Sequence, residues 1–331
     1  MYTEPGSEVR IEHRFILMKQ LLLIPTLLAA SALAGQAQVH FVRQPGSIAI
    51  EIGGRSFSTL YFGESAAKPY LHPLLSADGL RVTRLYPMEY GEGGSRDHEH
   101  HRGLWIASGD VNGIDVWGNE PGQRHGKQGL ILLREVRSVE DGPRQGKLRV
   151  IFDWLDPAGA IMLTEDRTMI FSGDEKTRTI DFDITFTGAG KTEFRDTKEG
   201  FLALRMRDEL TELKGTGKLT NAAGQTGMQS VWGKPSPWVD YSGTLEGHKL
   251  GVAIFDHPSN LRHPARWHAR AYGLFGVNPF GDREYSGDKS LDGGYPLGAG
   301  KTLRLRYRVL IHSGDVNEAG VGAAFAAWAK Q

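Results

Sequence analysis

The chain has 331 residues, 40% of them hydrophobic, with 39 basic and 39 acidic side chains and a formal net charge of zero. That balance argues against a nucleic-acid or anionic-membrane partner, which would require a clustered basic excess. Cysteine is absent, so no disulfide or thiolate is available, and any metal must rest on His, Asp or Glu.

In chain order, a mixed and charged leader gives way at Met18 and Lys19 to an apolar run at 21–33. The run is shorter than the roughly 20 residues a membrane span requires. Small residues follow it, and a signal peptidase could cut before Gly35 or Gln38. Residues 1–37 therefore read as a signal region with its start at Met18, and 38–331 as one exported domain, periplasmic or extracellular. That domain is expected to have no membrane association after cleavage. An uncleaved anchor is the competing reading.

Beyond the signal, period-2 alternation outweighs helical periodicity. It is clearest at 178–187 and 302–312, where leucine, isoleucine, valine and aromatic residues alternate with Asp, Thr or Arg. Weaker strands are expected at 47–52, 57–62, 81–85, 130–136, 147–155, 160–171, 200–206 and 249–255, separated by Gly-, Pro- and Asp-rich turns. One long helix is expected, at 316–330. Many strands, few helices and 43 glycines describe a mainly β fold, a large antiparallel β-sandwich of mutarotase-like type with a short C-terminal helix.

Two windows break the strand pattern, 92–105 and 256–270. They hold six of the twelve histidines: His98, His100, His101, His257, His263 and His268. Both mix imidazole, guanidinium and carboxylate with glycine or proline, as expected of loops over a rigid scaffold. In an extended segment His98 and His100 share one side. With His257 they make a candidate site for one divalent metal, which His263, His268 or Asp97 could instead complete. A metal-free reading has His98, His100, His257 and His268 as general acids and bases near neutral pH, with Asp97 beside them. A third reading has the histidines only tying a loop together.

Trp105, Trp238 and Trp267 suit sugar stacking, and Arg102, Arg262, Arg266 and Arg270 suit a carboxylate or sulfate on a substrate. Asp110, Asp115, Asp240 and Glu199 are further candidate acids, or turn and strand-end residues. Serine-hydrolase, zinc-protease and nucleotide motifs do not occur. The two histidine windows are expected to meet in one pocket, His98 or His100 with His257 or His268, lined by Trp105 and Trp267.

The stretches His72-Pro73-Leu74, Asp97 to Trp105, Gly109 to Gly113, Trp238 to Gly243 and Asp256 to Arg270, continuing to Asn278-Pro279-Phe280-Gly281, resemble an exported bacterial family known as methane-oxygenase-like. The resemblance covers nearly the whole chain after the signal. It implies a β-rich exported domain from glycan-degrading bacteria and no established reaction. The functional expectation is a carbohydrate-active enzyme performing glycoside cleavage, elimination or epimerisation in a histidine-rich cleft. A noncatalytic glycan-binding protein and a metal-dependent oxidoreductase are the alternatives.

Overall fold

Period-2 patterning becomes long antiparallel strands in the computed structural model, which describes residues 37–91, 93–123 and 126–331. The apolar run of the expected signal lies outside those residues. The first strands are β1 (Val39–Gln44), β2 (Ser47–Ile52), β3 (Arg55–Tyr61), β4 (Tyr70–His72), β5 (Leu104–Ser108) and β6 (Leu130–Glu140). There follow β7 (Gln145–Leu155), β8 (Ile161–Gly173), β9 (Thr177–Gly188), β10 (Thr192–Phe194), β11 (Gly200–Arg205) and β12 (Lys218–Asn221). The last are β13 (Trp238–Leu245), β14 (His248–Asp256), β15 (Arg266–Ala269), β16 (Leu274–Asn278), β17 (Tyr295–Leu297) and β18 (Thr302–Ser313).

These strands form two eight-stranded sheets and a small ribbon of β10 and β17. The first sheet runs β1-β2-β3-β4-β5-β11-β16-β15, the second β12-β13-β14-β18-β9-β8-β7-β6, and every strand pairing in them is antiparallel. Aromatic contacts join the two sheets. Phe171 of β8 meets Phe41 of β1 at 5.7 Å and Phe57 of β3 at 6.4 Å. Tyr241 of β13 meets Phe275 of β16 at 5.9 Å. The protein is thus an antiparallel β-sandwich, and the described residues fall in one compact unit.

The alternation in β18 follows the sequence. Leu303, Leu305, Tyr307, Val309 and Ile311 are buried, while Arg304 and Arg308 pair with Asp183 and Asp181 of β9 on the opposite face. Three local expectations are corrected. Residues 81–85 form two isolated bridges, Leu75 to Arg81 and Thr83 to Met206, not a strand. The C-terminal helix covers only Val321–Trp328, because Gly320 before it takes a left-handed φ of 61° that a right-handed helix cannot contain. The window 256–270 is not all loop, since β15 lies inside it.

Candidate functional site

Tyr70, Trp105, Ala203, Gly276 and His268 pair in one continuous row across β4, β5, β11, β16 and β15. Side chains in one row share a face. It is the face turned away from the second sheet, because the neighbouring position Phe275 points to Tyr241. Ala203 and Gly276 keep the middle of the row low. A Cβ on Gly276 would sit 2.6 Å from that of Ala203. Trp117 lies over the row, 5.0 Å from Trp105 and near-parallel to His268 at 6.4 Å.

The chain that follows β5 delivers Trp117, and a buried cation fixes it there. Lys68 Nζ donates to Trp117 O and Asn119 Oδ1, both at 2.9 Å, and to Glu120 Oε1 at 3.1 Å. Glu120 also accepts from Arg102 Nη2 at 2.8 Å. Burial lowers the Lys68 pKa, and Glu120 opposes the shift.

The first histidine window is a turn, not an extended segment. The His101 N–H donates to His98 O at 3.0 Å, and His98 takes a left-handed φ of 47°. The turn stacks His101 on His98 and keeps His100 beside both. Four rings stack in succession: Tyr272 on His98 at 5.3 Å, His98 on His101 at 4.8 Å, and His101 on Trp105 at 5.3 Å.

Asp97 orients this stack. Its Oδ2 accepts from His98 Nδ1 at 2.6 Å, while Oδ1 takes Arg84 Nη1 at 2.6 Å and Arg205 Nη2 at 2.8 Å. Burial would raise the Asp97 pKa, but Arg205, His98 and Arg84 outweigh it and hold the carboxyl down at about 2. The ionised carboxylate only accepts, so His98 carries a proton on Nδ1.

Beside the stack opens a cavity of about 630 Å³, whose walls include His98, His100, His268, Glu199, Arg270 and Tyr272. The structure therefore brings His98 and His100 into one pocket with His268, across the two distant windows. His100 Nδ1 bonds to Gln123 Nε2 at 2.8 Å. Burial, aided by the charges of Lys68 and His98, lowers the His100 pKa to about 3. Burial, with Arg270 and Lys198, lowers that of His268 to about 3 as well. Both are neutral near pH 7, which corrects the expectation that they titrate there. Glu199 stands 3.4 Å from Lys198 Nζ. Asp115, also in the wall, accepts from the backbone N–H groups of Trp117 and Gly118.

Other expected site residues lie elsewhere. His257 bonds to Ser259 and to Arg306 Nη1 at 2.8 Å and packs on Trp328, so it does not join His98 and His100. His98 and His100 each spend Nδ1 on a neighbour, and no group of three or more His, Asp or Glu among the described residues is arranged to hold a metal. The divalent-metal reading thus lacks a donor set there. Trp105 and Trp267 are 1% and 0% exposed, core residues and not cleft walls. Trp238 is buried against the C-terminal helix.

Arg262 donates to the carbonyl oxygens of Pro279, Gly293 and Gly294, tying loops together. Arg266 pairs with Asp282 at 2.8 Å, and Arg102 with Glu120. Lys198, Tyr272 and Gln123 belong to the cavity but carry no motif. The only sequence signal for Lys198 is its place beside Glu199, just before β11.

The chain belongs to a family of unknown function, DUF6807, whose model matches residues 47–326. No curated protein matches the chain. Among solved structures, a GH36 α-galactosidase from Geobacillus stearothermophilus with bound 1-deoxygalactonojirimycin is 9% identical, with a TM-score of 0.39 over 84% of this chain and 40% of that one. A galactose 1-epimerase from Lactobacillus acidophilus is 7% identical, with a TM-score of 0.36 over 84% of this chain and 100% of that one. The Slr1438 protein of Synechocystis is 11% identical, with a TM-score of 0.34 over 84% and 96%. The chain spans about two-fifths of the α-galactosidase's length. Likenesses at these scores assign neither substrate nor reaction to this chain.

Proposed function

We propose that this protein is an exported carbohydrate-processing enzyme that moves a proton at a sugar centre, in glycoside cleavage, elimination or epimerisation. One observation carries the reading: a single cavity joins a carboxylate-oriented imidazole, a second carboxylate, neutral imidazoles and stacked rings. Its volume falls within the roughly 300–1,000 Å³ of small-molecule sites. In the proposed roles, His98 exchanges a proton through Nε2, oriented by Asp97 as a carboxylate orients the imidazole in hydrolytic triads. Glu199 is the second proton carrier. His100 and His268, uncharged, hydrogen-bond sugar hydroxyls.

Turnover of a panel of oligosaccharides and aryl glycosides by the wild type tests this. His98→Gln and Glu199→Gln are each expected to lower kcat at least 100-fold with the melting temperature within about 2 °C. Sugar binding without turnover on any member of the panel would favour a noncatalytic binding protein instead.

Export is part of the same proposal. The Ala37 N–H donates to Gly173 O at 2.7 Å, and β1 begins two residues later. A cut before Gly35 leaves that bond in place, whereas a cut before Gln38 removes it. Mature protein from the native host is expected to begin at Gly35, read by N-terminal sequencing. Recovery from outside the cell with residues 21–33 still attached would overturn this.

A further inference from the structure

Among the described residues, the arginines around the cavity are, with one exception, matched to carboxylates. Arg84 and Arg205 share Asp97, Arg102 has Glu120, and Arg262 and Arg266 share Asp282. Arg270 has no carboxylate partner among the described residues, yet it lines the cavity beside His268 and Tyr272. Its guanidinium carbon lies 4.7 Å above the Trp232 ring. Its backbone is held by the turn from β15 to β16, where the Arg270 N–H donates to Leu274 O at 2.7 Å and the Gly273 N–H to Arg270 O at 2.9 Å.

An arginine stacked on an indole has one face covered and its N–H edges open, in the geometry that accepts a planar carboxylate by two parallel hydrogen bonds. No side-chain acceptor is bonded to the Arg270 guanidinium among the described residues. Glu199 is engaged by Lys198 at 3.4 Å, and Asp115 by two backbone N–H groups. His100 and His268 are too buried to add charge of their own. A cationic fork held ready in a partly enclosed site favours an anionic ligand over a neutral one of the same shape.

We infer that the cavity takes an acidic sugar, a uronate or a glycan ending in one, and that Arg270 pairs with its carboxylate. This rests on the carbohydrate reading above and narrows it. A bidentate contact distinguishes the planar carboxylate from a tetrahedral sulfate ester, and it makes lysine a poor replacement for arginine.

Calorimetric titration of the mature chain at pH 7 tests the inference with three probes: a uronic acid, the neutral hexose of the same configuration, and that hexose as its sulfate ester. The uronate is expected to bind at least tenfold more tightly than the other two, and added salt should weaken it selectively. Arg270→Gln should bring the uronate-to-hexose ratio near one, and Arg270→Lys should restore the ratio only in part. Arg266→Gln, whose guanidinium is already paired with Asp282, should leave the ratio as in wild type. Equal binding of uronate and hexose, equal binding of uronate and sulfate, or a ratio that survives Arg270→Gln would overturn the inference while leaving the carbohydrate reading intact. Failure of every sugar probe to bind would remove both.

Discussion

Burial, more than any charged partner, governs His100 and His268, and its consequence reaches beyond the cavity. In the unfolded chain an imidazole protonates near pH 6.5, whereas both of these rings are held down to about 3 in the fold. Between those values the unfolded state binds more protons, so stability rises with pH. Their contribution is complete above about pH 6.5 and is lost as the pH falls towards 3. Each ring adds a slope of up to about 1.4 kcal/mol per pH unit within that window. Asp97 acts in the same direction lower down, because its carboxyl is held at about 2 against an ordinary value of 3.8. The melting temperature is therefore expected to drop steadily from pH 6.5 to pH 4, and more gently in His268→Gln. A flat wild-type profile across that range would contradict the assignment.

At the level of elements, the site depends on two small residues that let Trp117 settle across β5, β11, β16 and β15. Gly276→Ala places a Cβ 2.6 Å from Ala203, and the strain of such overpacking typically costs about 1–3 kcal/mol. The variant is expected to lose that much in denaturant unfolding, with altered tryptophan emission and weaker ligand binding. Gly190→Ala, where a Cβ meets nothing within 4 Å, should change none of these. The same packing explains what the sequence disclosed. β18 and β9 have one covered and one wet face, so alternation marked them plainly. β5, β11 and β16 are buried at every position, because a folded-over segment covers their second face, and no period-2 pattern survives there. The strands that carry the site were thus the least legible, and only β11 was anticipated. The clustering of histidines marked the right windows, and His98 and His100 do meet, but the turn at His98 to His101 also stacks His101 on His98. Lys68, sitting in the sequence far from Trp117 and Glu120, gave no sign of its contacts.

Over the whole molecule, the two sheets share one core, which continues through Trp105 and Trp117 to the cavity on the face of the first sheet turned away from the second. Phe171 is fully buried near the β1 edge of the first sheet, against Phe41 and Phe57, whereas the site rows lie towards the β15 edge. Truncating a buried phenylalanine removes its transfer energy and leaves a cavity, about 3–5 kcal/mol in total. Phe171→Ala is expected to lower the melting temperature by roughly 6–20 °C. If the core is one cooperative body, far-ultraviolet dichroism, which reports strands everywhere, and tryptophan emission, which reports seven side chains including Trp105 and Trp117 at the site, must shift together. Ligand affinity at 25 °C should stay near wild type, because Phe171 packs on Phe41 and Phe57 towards the far edge of the sheet. Separate transitions for the two probes would mean that the sandwich does not unfold as one body. The shared aromatic core would then not be what holds the cavity in shape.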